Sequence, residues 1–454
     1  MPIICVLITV FITAKLILKG YKTEFILLAS GLFLMALTSL FGWGEVLPNN
    51  VKSTNVVIFD LFRYIQWLMG LRAGQLGLMI MALVGFAEYM SFIGADKVIV
   101  QQAIRPLSKV NNKHLLVFLA YIMGASLQLA IPSATALAVL LMVTLFPIMI
   151  GLGISRGTSA AVIASTLATT FTPIGVDAIR ASAALNIDLM NYVINYQAPT
   201  SIVATLTIGV SHMFWQKHMD AKGGTSTDNS QLMQNKQEIG EDAPGVYVIL
   251  PLLPIIFSVV FSGLAISFVK LDVTTIVLIS MTIAMTFEKF RGRSLKEISD
   301  GFNVFMKGMG NAFTTVVFLL VSAGVFAYGI QSTGSIDLMV EGAKAAGMPY
   351  VLLTLLFCVV VGVASVVMGS GNAAFLSFVE IIPSVASSFG VNPASMMLPV
   401  QQVSAMGRAA SPVAACVIVS ASGAKLSVFE IVKRTAPPVS IGFIVHFIAV
   451  LAFV

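Results

Sequence analysis

Apolar and polar positions fall in long blocks along this chain. Runs near 2–19, 24–43, 73–94, 157–186 and 197–215 are each apolar for long enough to cross about 30 Å of hydrocarbon as a helix. A second series follows near 244–268, 272–288, 308–331, 393–424 and 428–453. Two longer stretches, 113–153 and 347–391, are apolar on both arms and interrupted midway, at "PSAT" and at "GSGN". Apolar arms with a small polar tip predict a re-entrant hairpin that enters and leaves on one face. Two full crossings joined by a tight turn are the alternative that the pattern leaves open. Residues 216–243, "QKHMDAKGGTSTDNSQLMQNKQEIGEDA", are polar without helical periodicity and predict a flexible linker. Charged segments at about 45–72 and 289–307 occupy equivalent places. "SLKEISDGFNVFMKG" alternates charged and apolar residues at helical spacing, which predicts a helix lying in the interface.

The two series are copies of one plan. "IPSATALAVLLMVTLFPIMIGLG" at 131–153 and "MGSGNAAFLSFVEIIPSVASSFG" at 368–390 each carry a small polar cluster, an apolar run, a Pro and a closing Gly. Ser133-Ala134-Thr135 stands where Ser370-Gly371-Asn372 stands later, and Pro147 answers Pro383. Phe86-Ala87 precedes Gly94 as Phe326-Ala327 precedes Gly334, and "FTP" at 171–173 matches "ASP" at 410–412. Each half then holds three spans, a hairpin, a Pro-broken span and a last span. Five crossings is an odd number, so the second half is inverted relative to the first. The predicted fold is an all-α polytopic membrane protein of two inverted repeats, about ten transmembrane helices plus two re-entrant hairpins. Inverted repeats with helices broken at matching positions are a signature of secondary transporters, with the site near the midplane. The predicted units are 1–112, 113–215, the linker 216–243, 244–346 and 347–454.

Composition agrees. Hydrophobic residues are 57% of the chain and charged residues 10%, against roughly a quarter charged in soluble domains. Cys5, Cys358 and Cys416 lack metal-ligand spacing, and the four histidines form no cluster, so neither a disulfide framework nor a metal site is expected. The net charge of +6 lies mostly in short loops beside spans, which marks topology and not a nucleic-acid partner. With the N-terminus outside, eighteen Lys and Arg fall in inner loops and five (Lys52, Arg63, Arg72, Lys270, Lys344) outside. Both termini are therefore expected in the periplasm. "MPIICVLITVFITAKLILKG" has no basic leader region or small-residue cleavage site and reads as a retained first helix.

Few ionisable groups stay within the spans: Glu88, Asp177, Arg180, Glu380 and Arg408, with Lys15 near enough to an end to snorkel. In "VQQVSAMGRAASP", Gln401, Ser404, Arg408 and Ser411 share one helical stripe that runs into a break at Pro412. A guanidinium there fits a carboxylate bidentately; a structural pairing with Glu380 is the alternative. Ser165, Thr169 and Thr172 line a similar stripe towards Pro173. A broken helix exposes N–H groups that attract anions on one side and carbonyls that suit a cation on the other. The tips, Ser133-Ala134-Thr135 and Ser370-Gly371-Asn372, offer hydroxyl, amide and bare N–H groups, or else are merely tight turns. The expected binding set is therefore Ser133, Ala134, Thr135, Thr172, Pro173, Ser370, Gly371, Asn372, Ser404, Arg408, Ser411 and Pro412. Asp177 and Arg180 lie one turn apart, as a local ion pair or, together with Glu380, in coupling or gating. No Ser/His, paired-Asp or His-Glu-x-x-His constellation lies at matching depth, which disfavours an intramembrane enzyme.

"SATALAVLLMVTLFP", "LMIMALVGFAEYMSFIGA", "GSGNAAFLSFVEIIP", "GRAASPV" and "FEIVKRTAPPV" resemble the anaerobic C4-dicarboxylate carriers of the C type, across essentially the whole chain. That resemblance implies a bacterial inner-membrane carrier without cofactor, moving succinate, fumarate, malate or aspartate, commonly in succinate efflux or exchange. A carrier of another small anion, a tricarboxylate or short-chain fatty acid, is the alternative, because a single buried Arg fits a mono- or a dicarboxylate. The resemblance also implies, through the wider ion-transporter superfamily, a dimeric elevator. In it, hairpin 113–153, spans 157–215, hairpin 347–391 and spans 393–453 would slide against the remaining spans. The coupling ion would be H+ or Na+. Sodium-coupled relatives in that superfamily show a Ser-Asn-Thr tip, from which both tips here depart, and this favours the proton.

Overall fold

The computed structural model describes the chain except for residues 1, 20, 49, 111, 223–242, 262–268, 270, 336, 337, 339, 340 and 343–346. Among the described residues the structure is helices and turns, with no strand. In the first half, α1 (Pro2–Leu18) and α2 (Thr23–Phe41) precede α3 (Val57–Arg72). This helix runs through a π-helical turn at Ala73–Gly77 into α4 (Leu78–Phe92). α5 (Ala95–Ile104) departs at Gly94, and the chain bends there by 73°. α6 (Lys113–Ser126) and α7 (Ala134–Gly151) form the first hairpin. α8 (Arg156–Ala164) and α9 (Val176–Ala184) flank the break at 165–175. α10 (Leu189–Tyr192) then leads through a second π-helical turn into α11 (Ala198–Lys222).

The second half repeats this order. A 3₁₀ segment at Gly245–Leu252 enters α12 (Leu253–Val259), and α13 (Val273–Phe290) follows. α14 (Leu295–Ala312) then runs through a π-helical turn at Phe313–Val317 into α15 (Phe318–Ser332). The second hairpin is α16 (Tyr350–Met368) with α17 (Gly371–Leu376) and α18 (Ile382–Ser388). α19 (Pro393–Ala409) and α20 (Ala415–Ala424) flank the break at 410–414, and α21 (Val428–Phe453) closes the chain. The π-helical turns at 73 and 313 lie 240 residues apart, and the sequence landmarks Phe86 and Phe326 share that offset.

The two halves lock together through small residues. α4 packs on α14 and α2 on α15. A Cβ added at Gly308 would lie 2.8 Å from the Cα of Gly85, so the α4 and α14 backbones meet where neither carries a side chain. Close backbone approach of this kind supplies the dispersion contact that holds helices together in lipid, where hydrophobic burial provides no drive.

Among the described residues, six helices are individually long and apolar enough to cross a membrane, or seven with the bent pair at Gly94. The other expected spans are carried by shorter or interrupted helices, such as α1, α8 with α9, and α19 with α20. Three expectations need correction. The charged segment read as an interfacial helix is not a separate element, and its counterpart in the first half behaves alike. Residues 57–72 and 295–312 continue through the π-helical turns into α4 and α15, and the 38 residues from Leu295 to Ser332 form one helix. At 1.5 Å per residue that helix is about 57 Å long, so its charged end stands beyond the hydrocarbon. The linker begins later than its polarity suggested, because residues 216–222 still belong to α11 and Gln216 is buried in a hydrogen-bond network. The rest of that linker, 223–242, lies outside the described residues. Arg434, counted with the loops, is fully buried within α21, where it donates to Asp220, Glu430 and Gln216.

Candidate functional site

Both hairpin tips and the first break, with Arg408 from the helix that leads into the second, reach one cavity of about 380 Å³. Its wall includes Gln128, Ser133, Ala134 and Thr135 from the first hairpin, and Gly369, Ser370 and Asn372 from the second. Thr172 and Asp177 come from the first break and the helix after it, Arg408 from the end of α19, and Glu88 and Asp96 from α4 and α5. That volume lies within the range of small-molecule sites. Ser370 and Asn372 also line a neighbouring cavity beside Tyr21 and Glu24, so the second tip is a wall between two spaces.

The first break is held open by amides. Thr170 donates its N–H to Gln402 Oε1 at 3.0 Å, and its carbonyl accepts Gln402 Nε2 at 2.7 Å and Gln197 Nε2 at 3.1 Å. Phe171 N–H donates to Gln128 Oε1 at 3.0 Å. Three Gln side chains thus stand in for the missing turn of helix, meeting the two donors and the acceptor that a bare break would leave orphaned. Of the carbonyls exposed by the break, that of Thr170 already accepts from two amides. The sequence reading missed Gln128, Gln197 and Gln402. Their signal was a carboxamide inside an apolar span, which is costly there unless it has partners.

Asp177 accepts from Thr170 Oγ1 at 2.6 Å and Gln401 Nε2 at 2.9 Å, and Gln401 Oε1 in turn accepts from Tyr192 at 2.6 Å. It makes no pair with Arg180 among the described contacts. Arg180 instead ion-pairs with Glu380, whose Oε1 also accepts from Arg72 Nη2 at 2.9 Å. Glu380 is accordingly not the partner of Arg408. Both alternatives raised by spacing fail because nearness in sequence says nothing about partners 200 to 308 residues away.

Arg408 donates from Nη2 to the carbonyl of Leu167 at 2.6 Å, which fixes a half-buried guanidinium against the first break. Thr172 Oγ1 is buried in the cavity wall with no partner. The tip serines are N-caps: Ser133 Oγ accepts from Ala136 N at 3.3 Å and Ser370 Oγ from Ala373 N at 3.2 Å. Their hydroxyl hydrogens remain for a guest. Gly371 faces α19, where a Cβ would lie 2.7 Å from the carbonyl oxygen of Ser404. Ser404 donates to Gln401 O at 2.7 Å, and Ser411 to Val366 O at 2.5 Å. Gly371, Ser404, Ser411, Pro173 and Pro412 are absent from the cavity wall and shape it from behind.

A Ser/His pair does exist. Ser165 Oγ lies 2.9 Å from His212 Nε2, and His212 Nδ1 lies 3.0 Å from Gln216 Nε2. Gln216 must donate to Nδ1, so Nε2 carries the hydrogen and donates to Ser165. Ser165 therefore meets a donor instead of a base, and neither residue lines the cavity.

These features define an all-helical membrane transporter fold with a central cavity at two hairpin tips. The YdaH transporter of Alcanivorax borkumensis has a similar fold, with a TM-score of 0.62 at 15% identity over 94% of this chain and 97% of that one. So does MtrF of Neisseria gonorrhoeae, a representative of a class of antimetabolite efflux pumps. Its TM-score is 0.64 at 15% identity, over 95% and 94% of the two chains. The chain belongs to the C4-dicarboxylate anaerobic carrier family DcuC, whose pattern matches residues 1–454. It is 39% identical to the anaerobic C4-dicarboxylate transporter DcuC of Escherichia coli K12, over 96% of this chain and 93% of that protein. It is 38% identical to the probable anaerobic C4-dicarboxylate transporter DcuC of Vibrio cholerae, over 99% and 97%.

Proposed function

We propose that this protein is a secondary active carrier of C4-dicarboxylates such as succinate, fumarate, malate and aspartate, working in succinate efflux or exchange. It sits in a bacterial inner membrane with both termini periplasmic, as a homodimer. The observation that carries this reading is the cavity itself. One guanidinium, one unpartnered hydroxyl and two N-capped tips face a space sized for a small dianion. Arg408 would take one carboxylate, and the tips and Thr172 the other. The moving unit would be residues 113–215 and 347–454, sliding against 1–112 and 244–346 as an elevator. Coupling is to protons, which the departure of both tips from the Ser-Asn-Thr pattern of sodium-coupled relatives favours. The test is uptake of labelled succinate into proteoliposomes, with pH and sodium gradients imposed separately. Uptake driven by the pH gradient and inhibited by fumarate is expected. Failure of every C4-dicarboxylate to be taken up or to compete would overturn the substrate, and uptake driven by sodium alone would overturn the coupling.

A further inference from the structure

The cavity contains two carboxylates that substrate recognition does not use. Glu88 is on α4 and Asp96 in the first turn of α5, on either side of the bend at Gly94, and both line the wall. Glu88 is exposed, whereas Asp96 is 4% exposed. Oδ1 of Asp96 has no hydrogen-bond partner. Asp177, the third carboxylate of the cavity, differs because it accepts two strong donors and is satisfied as an anion. A buried carboxylate oxygen without a donor is the costly case, and a second carboxylate beside it adds like-charge repulsion. A dicarboxylate entering the same space brings two more negative charges against one guanidinium. The cavity accepts such a guest at low cost only if negative charge leaves the wall as the guest arrives.

The charged or titratable residues on the elements packed against α5 are Glu88 and Tyr89 on α4, Tyr247, Arg105, Lys109, Lys113, His114 and Tyr121; α7 brings none. Arg105, Lys109, Lys113 and His114 are exposed, Lys97 on α5 itself is half-buried, and Tyr247 bonds Glu288 at 2.6 Å. Around α4, Lys296, Glu297, Asp300 and Lys307 of α14 are exposed, and Glu288 and Lys289 of α13 complete the set. No group of three or more His, Cys, Asp or Glu with a metal-holding arrangement occurs among the described residues.

We propose that Glu88 and Asp96 form the proton-binding site of this carrier: Asp96 takes up a proton through the accessible Glu88 as the dicarboxylate binds, and gives it back as the dicarboxylate leaves. The proton comes from water on the side to which the cavity is open, and no bond of the substrate changes. This assignment rests on the dicarboxylate reading above and names its coupling residues. Roles then divide within one wall: the arginine holds the guest, and the carboxylates adjust the charge.

The test is proton uptake by the purified full-length protein in detergent, followed with a pH indicator in weak buffer on adding succinate between pH 7 and 9, where free succinate is a dianion. The wild type is expected to bind about one proton per succinate. Its Kd is expected to rise about tenfold per pH unit above the titration range of the pair, as linkage of one proton requires. Asp96→Asn is expected to bind succinate with little or no proton uptake and a flat pH profile. Glu88→Gln is expected to slow or reduce the uptake. Binding of succinate by the wild type without proton uptake, or uptake unchanged in both variants, overturns the assignment even should one variant fold poorly. Sodium-dependent binding in place of proton uptake does the same. Absence of binding by any C4-dicarboxylate to the wild type would overturn the substrate reading, and this one with it.

Discussion

The two halves of this molecule share a plan and divide its labour. Thr172 and Ser411 occupy matching places at the two breaks, each followed by a proline. The Thr172 hydroxyl is left without a partner in the cavity wall, while that of Ser411 donates to Val366 on its own hairpin. Arg408 has Thr169 as its counterpart, and Thr169 is spent on Thr205 at 2.6 Å. The first hairpin returns as one 18-residue helix; the second is interrupted at 377–381, where Glu380 reaches Arg72 and Arg180. The break at 165–175 is the longer one and is held by glutamines, and that at 410–414 is short. A duplicated fold supplies two equivalent scaffolds. Asymmetric side chains then make one polar face for a guest that has no such symmetry of surroundings.

Substitutions at matched positions test this division. The largest effect is expected at Arg408→Ala, which should abolish succinate uptake, a loss of a hundredfold or more, while Thr169→Val at the matching site keeps most activity. Equal losses from the two would end the asymmetry. Next, Glu380→Ala removes a second-half carboxylate and leaves Arg180 of the first half buried and uncompensated, and should lower stability by about 3 kcal/mol in thermal unfolding. Gln402→Ala removes the clamp on Thr170 and strands its buried N–H, for a loss of about 2 kcal/mol. The same substitution at Gln197, which leaves Gln402 in place, should cost less. The smallest contrast is at the breaks. Thr172→Val should raise the KM for succinate by about tenfold, the value of one hydrogen bond to a charged group. Ser411→Ala should leave KM unchanged, and a raised KM there would show that the second break also touches the guest.

Much of this was legible in the sequence because lipid leaves so few options. Polar interruptions in apolar arms mark the two tips, and Pro173 and Pro412 mark the two breaks. These signals nominated Arg408, Thr172 and the tips, and Ser133, Ala134, Thr135, Ser370 and Asn372 line one cavity with them. What escaped was set by long-range packing. Gln197 and Gln402 lie 27 and 232 residues from the backbone they complete. Asp177 and Arg180 look like partners on one helix, yet each turns to a different neighbour. The charged ends of α3 and α14 read as separate elements, because a π-helical turn carries a helix onward without leaving a sequence mark. Ser404 and Ser411 were nominated from their helical stripe, but the second hairpin packs there: Gly371 faces the carbonyl of Ser404, and Ser411 donates to Val366.

The claim on which the rest depends is that both tips touch the same molecule. With Cys5, Cys358 and Cys416 replaced, Thr135→Cys and Asn372→Cys can each be made alone and their alkylation rates measured in purified protein. Succinate at ten times its Kd should slow both reactions about tenfold, since only the unoccupied fraction reacts. Protection of one tip alone, or of neither, would contradict the account.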